Sequence, residues 1–170
     1  MSTAEYLAFV PLLFYGIALA DLFRQWRRLF EFSSFCLPYF LTTLVFTELA
    51  IWNVYGYLGS VDKLEHASYV QYWSFLLQPI LFLLTVSAMT PDTKDHDITE
   101  FFRRRIRLIY GLMACFLLNN FVLSFVGLGS LLTPRFLAIV LLVAVAISRR
   151  IEICYLLFLV WLGSLYFRLA

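Results

Sequence analysis

Apolar residues along the chain fall into six runs divided by short polar breaks: 6–23, 34–57, 68–89, 106–126, 134–147 and 151–167. A helix needs about 20 apolar residues to cross the hydrocarbon of a bilayer. Six such crossings use most of the chain, and the longest polar break, 90–100, is too short to fold alone. The pattern therefore predicts an all-α fold: one domain, an integral membrane bundle of six transmembrane helices.

The breaks carry their own punctuation. The first run ends in Arg24, Gln25, Trp26, Arg27 and Arg28, a basic and aromatic collar of the kind that sits at a membrane interface. Thr90-Pro91 stops the third run. Asp97 and Glu100 have the spacing of a capping box, with acids where a helix dipole favours them. The fourth helix is expected to start there and to run through Phe101, Phe102 and the cluster Arg103, Arg104, Arg105 before entering lipid. Its first turns are expected in the interface, aromatics inward and arginines toward headgroups. Thr133 and Pro134 read as cap and first residue of the fifth helix. The last two runs are short and only Ser148, Arg149 and Arg150 part them. One continuous helix there would bring two arginines to mid-membrane at a cost of several kcal/mol, so two helices are expected.

Charge sets the orientation. Ten of the 13 lysines and arginines lie in the breaks after the first, third and fifth runs, and short loops rich in Lys and Arg stay inside. Both termini are therefore expected on the outer side. The start of the chain lacks a basic n-region and a clear small-residue cleavage site, so the first run is expected to be a retained helix. Tyr6, Tyr55, Tyr57, Tyr69, Tyr72, Trp73 and Tyr166 gather at outer run ends and read as an aromatic belt.

Composition narrows the classes. The chain is 62% hydrophobic, 19% aromatic and 14% charged, against about 45–50% apolar and about 25% charged in soluble domains. Disordered chains, disulfide scaffolds and most soluble enzymes are excluded. With 13 basic and 11 acidic residues, a nucleic-acid partner is not expected. Cys36, Cys115 and Cys154 lie in apolar runs without CxxC spacing, as small packing residues do.

Chemistry must come from the polar residues that lipid disfavours. Glu48 lies deep in the second run, on a stripe with Leu41, Leu44, Trp52 and Tyr55; Asn53 points elsewhere. Gln71, Ser74, Gln78 and Thr85 share one face of the third run, where Pro79 frees the carbonyl of Phe75 one turn back. Asn119, Asn120 and Ser124 lie in the fourth. Ser74, Gln78 and Asn119 match the depth of Glu48, so Glu48, Ser74, Gln78, Asn119 and Asn120 form the candidate intramembrane polar cluster. Two readings follow for Glu48: a ligand or proton site, or a structural hydrogen bond to Gln78 or Asn119. The amides read first as interhelical ties. Arg103, Arg104 and Arg105 are candidate contacts for anionic lipid, and Asp21 is expected to pair locally with Arg24 or Arg28.

Other chemistry is demoted. His66 and His96 fall in breaks on opposite sides of a core about 30 Å thick and cannot share a haem or metal. Asp92, Asp95, His96, Asp97 and Glu100 read as a solvated acidic loop with a helix cap. No nucleophile elbow, Walker or HExxH pattern occurs, and no metal or cofactor is expected. The expected function is a non-catalytic scaffold or accessory subunit in a bacterial-type inner membrane. Its expected partners are the lipid bilayer and other membrane subunits or further copies of the chain. The alternatives are a small proton-linked carrier using Glu48, and a lipid- or quinone-handling enzyme whose site the abundant Phe would line.

Overall fold

The computed structural model describes residues 3–31, 35–58, 68–91, 97–123 and 134–169. They form six helices: α1 (Thr3–Glu31), α2 (Leu37–Leu58), α3 (Tyr69–Met89), α4 (Ile98–Leu123), α5 (Pro134–Ser148) and α6 (Glu152–Leu169). No strand occurs among the described residues. Three stretches, Leu7–Arg27, Leu37–Leu58 and Tyr69–Met89, are long and apolar enough to cross a membrane, and Phe136–Ser148 and Glu152–Leu165 are shorter apolar helices. Thr133, His66, His96 and Ser124 lie outside the described residues.

Helix ends follow local chemistry. Asp97 caps α4, its Oδ1 accepting from the backbone N–H groups of Thr99 at 2.8 Å and Glu100 at 3.4 Å. Ser68 and Gln71 close a full capping box on α3, one that the Asp97–Glu100 pattern had overshadowed in the sequence. Two helices, not one, fill the C-terminal stretch. Arg149 breaks them apart in the left-handed region, at φ 55°, while its N–H still bonds Val145 O at 2.8 Å.

One local expectation is corrected. The 24–28 collar does not end α1, which continues to Glu31. Its residues are good helix formers, and Gln25 and Leu29 turn inward on one face while Arg24 and Arg27 stay exposed. Phe101 and Phe102 face inward and Arg103, Arg104 and Arg105 outward, as expected; the two aromatics pack into the core. They are buried with Ile98, Ile106 and Ile109, because α4 packs along α3 here and the Phe102 ring meets Tyr39 of α2. Asp21 pairs with Arg24 at 3.1 Å as expected.

The helices pack in a closed ring that is not the chain order. α1 lies between α2 and α3; α3 leads to α4, α4 to α5, α5 to α6, and α6 returns to α2. α2 also touches α4 across the interior. The first four helices share an aromatic core with Phe82 at its hub, 5.2 Å from Tyr15, 5.3 Å from Phe46 and 5.5 Å from Phe116 between ring centres. On the outside every helix shows large apolar side chains, for example Leu13, Ile51, Leu77, Leu118, Val140 and Leu159.

Tyrosines repair what prolines break. A proline inside a helix leaves the carbonyl four residues back without its N–H partner. For Pro79 that carbonyl is Phe75 O, and the Tyr57 hydroxyl of α2 donates to it. For Pro11 it is Leu7 O, which accepts from the Tyr72 hydroxyl of α3 at 3.1 Å. Tyr57 is therefore buried in the bundle and not in the expected outer belt, and Tyr72 is half-buried; Tyr55, Tyr69 and Trp73 are exposed.

Candidate functional site

The polar side chains inside the bundle tie helix to helix at three levels. At the end carrying the arginines, the Tyr39 hydroxyl lies 2.8 Å from Met89 O and 2.9 Å from Gln25 Oε1, its proton shared between them. Gln25 Nε2 donates to Thr90 Oγ1 at 2.7 Å, and Trp26 Nε1 donates to Thr43 Oγ1 at 3.1 Å. These bonds hold the ends of α1, α2 and α3 together. Gln25 is 1% exposed; the sequence placed it in a collar because the basic residues around it dominate that stretch.

Farther from that end, Gln78 Nε2 donates to Asn53 Oδ1 at 2.8 Å, and Asn53 Nδ2 donates back to Leu49 O at 2.6 Å. Both amides are buried. Gln78 thus meets α2 on the Asn53 face. Five residues at 100° each set that face well away from Glu48.

Glu48 lies at the midpoint of α2, roughly 16 Å from either end. Its carboxylate accepts from Trp161 Nε1 of α6 at 2.9 Å. The side chain is half-buried. The expected partners are elsewhere: Ser74 bonds Val70 O of its own helix, Gln78 bonds Asn53, and Asn119 Nδ2 is buried without a partner among the described residues. Asn120 is half-buried. The structure joins Glu48 to Trp161, and Gln78 to Asn53, in separate pairs. Trp161 was missed because its neighbourhood to α2 arises from ring closure, which no local sequence pattern encodes.

Beside Trp161, the partner of Glu48, lies an apolar cavity of about 90 Å³ between α2, α4, α5 and α6. Leu41, Val45, Leu49, Met113, Leu157 and Phe158 line it, and Trp161 forms part of its wall. Thr42 and Tyr110 are bonded at 2.9 Å in the same wall, with Cys154 nearby. A cavity of about 150 Å³ lined by such residues stays dry and admits benzene, so this smaller one suits nothing wider than a slender apolar group. Among the described residues no carboxylate lines it, and no cluster of three or more His, Cys, Asp or Glu exists among them. The arrangement supplies one hydrogen-bonded carboxylate whose indole partner borders an apolar space.

Arg103, Arg104 and Arg105 are all exposed on α4. Arg105 folds back over its own helix, its guanidinium 6.0 Å from the centre of the Phe101 ring. The basic stretches 24–27, 103–107 and 149–150 share one end of the bundle, since the network around Tyr39 joins the first three helix ends there and α5 ends beside Arg107. In comparison with known proteins, no family model matches the chain, and no curated protein or solved structure matches it.

Proposed function

We propose that this chain is a six-span inner-membrane protein of bacterial type, with both termini outside, acting as a non-catalytic scaffold or accessory subunit of a membrane assembly. The carrying observation is how its intramembrane polar groups are used. Asn53–Gln78, Tyr39–Gln25–Thr90, Trp26–Thr43, Thr42–Tyr110 and Glu48–Trp161 each link two or more helices. Such ties are worth about 0.6 kcal/mol apiece on average, and together they serve rigidity. Outward apolar side chains on all six helices support six spans, and arginines gathered at one end support the orientation. The α5–α6 hairpin packs on α4 and α2 with one face, leaving Val143, Leu156 and Leu159 exposed on the other as surface for lipid or a neighbouring subunit.

A second reading, a proton-linked carrier, is favoured by one observation: Trp161, which donates to Glu48, borders a cavity. Two measurements separate the readings. Purification in mild detergent from the native membrane, followed by mass spectrometry, should yield a stoichiometric protein partner. Glu48→Gln, which keeps an acceptor for Trp161, should leave that assembly and its thermal stability intact. Glu48→Leu should lower stability by about 1–3 kcal/mol by orphaning the indole N–H. Absence of any partner together with loss of proton-coupled flux in folded Glu48→Gln would establish the carrier instead.

A further inference from the structure

Between α4 and α5 the outer surface carries a groove of about 360 Å³. Its floor is built from small residues on α4, Gly111, Ala114 and Cys115, and its far wall from Ile139, Val143 and Ile147 of α5. Arg107 closes one end. That arginine lies about 14 Å along α4 from Ile98. It has no hydrogen-bond or ion-pair partner among the described residues. A guanidinium at the edge of hydrocarbon needs an anion or an escape to water.

Helix geometry surrounds this end with more charge. Arg103 and Arg104 flank Arg107 at four and three residues, hence on its face, whereas Arg105 is turned away by roughly 160° and covers Phe101. Ile147 of α5 stands beside Arg107 in the groove wall, so exposed Arg149 and Arg150 follow within a turn. An apolar channel running along the helices and ending in cations has the two-part chemistry of an anionic phospholipid. A second copy of the chain seated in the same groove in the same orientation would bring like charges together.

We propose that the α4–α5 groove is a binding site for one anionic glycerophospholipid, its phosphate held by Arg107 with Arg103 and Arg104, one acyl chain lying over Gly111 and Cys115. The site is independent of the scaffold reading and requires no partner protein. A Cβ added at Gly111 meets no heavy atom within 4 Å, and Gly111 lines the groove, so Gly111→Leu is expected to extend into it. Cys115 is exposed while Cys36 and Cys154 are buried, which makes it a reporter.

The test is native mass spectrometry of the purified chain titrated with phosphatidylglycerol against phosphatidylcholine, with Cys115 followed by a membrane-permeant maleimide. Wild type should hold one phosphatidylglycerol in preference to phosphatidylcholine and lose Cys115 labelling as it binds. Arg107→Gln should bind about fivefold more weakly, the loss expected for one charge near the surface. Gly111→Leu should abolish specific retention, and Arg105→Gln should match wild type. Equal weakening by Arg105→Gln and Arg107→Gln would mean diffuse surface attraction and overturn the site. So would wild-type retention in Gly111→Leu, or efficient Cys115–Cys115 cross-linking between copies.

Discussion

Tyr57 and Tyr72 show how single residues settle accounts that helix geometry leaves open. Each hydroxyl donates to the carbonyl freed by a proline on a different helix, Phe75 O below Pro79 and Leu7 O below Pro11. A buried carbonyl left without a partner costs about 1–3 kcal/mol. Tyr57→Phe should therefore lower stability in detergent by about that amount. In a Pro79→Ala background, where residue 79 supplies its own N–H to Phe75 O, the same change should cost markedly less. Equal costs in both backgrounds, measured by thermal unfolding as a double-mutant cycle, would refute the repair. The freed carbonyl at Phe75 was legible in the sequence from Pro79 alone. Its donor was not: Tyr57 read as part of an outer belt, because aromatic residues near span ends look alike whether they face lipid or a neighbouring helix.

At the scale of elements, the number of helices and most of their bounds were legible, since long apolar runs and Pro or Asp punctuation act locally. The C-terminal part of α1 was not, because Gln25 is buried and Trp26 half-buried by tertiary bonds to Thr90 and Thr43. The partners of Glu48 and Gln78 were equally hidden, since matching depth along a helix says nothing of which faces meet. The turn between α5 and α6 offers a clean test. Arg149 holds φ 55°, a conformation that costs an L-residue with a side chain roughly 1–2 kcal/mol relative to the right-handed region and costs glycine little. Arg149→Gly should raise the thermal stability of the hairpin by up to about 1 kcal/mol, and Arg149→Val should lower it. A drop with glycine would show that the Arg149 charge outweighs its backbone strain.

At the scale of the molecule, the alternation of basic and neutral breaks fits a bundle whose arginine-bearing helix ends lie together. Single cysteines at Ser60 and Thr93, both outside the described residues, should label from opposite sides of the membrane in a cysteine-free background. Labelling of both from one side would overturn the six-span topology. The ring order α1-α3-α4-α5-α6-α2 is the part of the architecture that no reading of runs and charges supplies, since it depends on which helix faces fit.

That ring has a consequence in time. Glu48 and its indole partner are 113 residues apart, and ribosomes add about 5–20 residues per second. During synthesis α2 therefore waits roughly 6–23 s before the last helix arrives to bond its carboxylate. Until then the nascent bundle is an open arc that has not yet gained the Glu48–Trp161 bond, and we expect membrane quality control to recognise that form. A chain ended at Arg150 should insert its earlier helices yet be degraded faster than the full chain in pulse-chase experiments. Glu48→Leu in that shortened chain should extend its lifetime, the reverse of its effect on the complete protein, because the feature that marks the arc as unfinished is then gone.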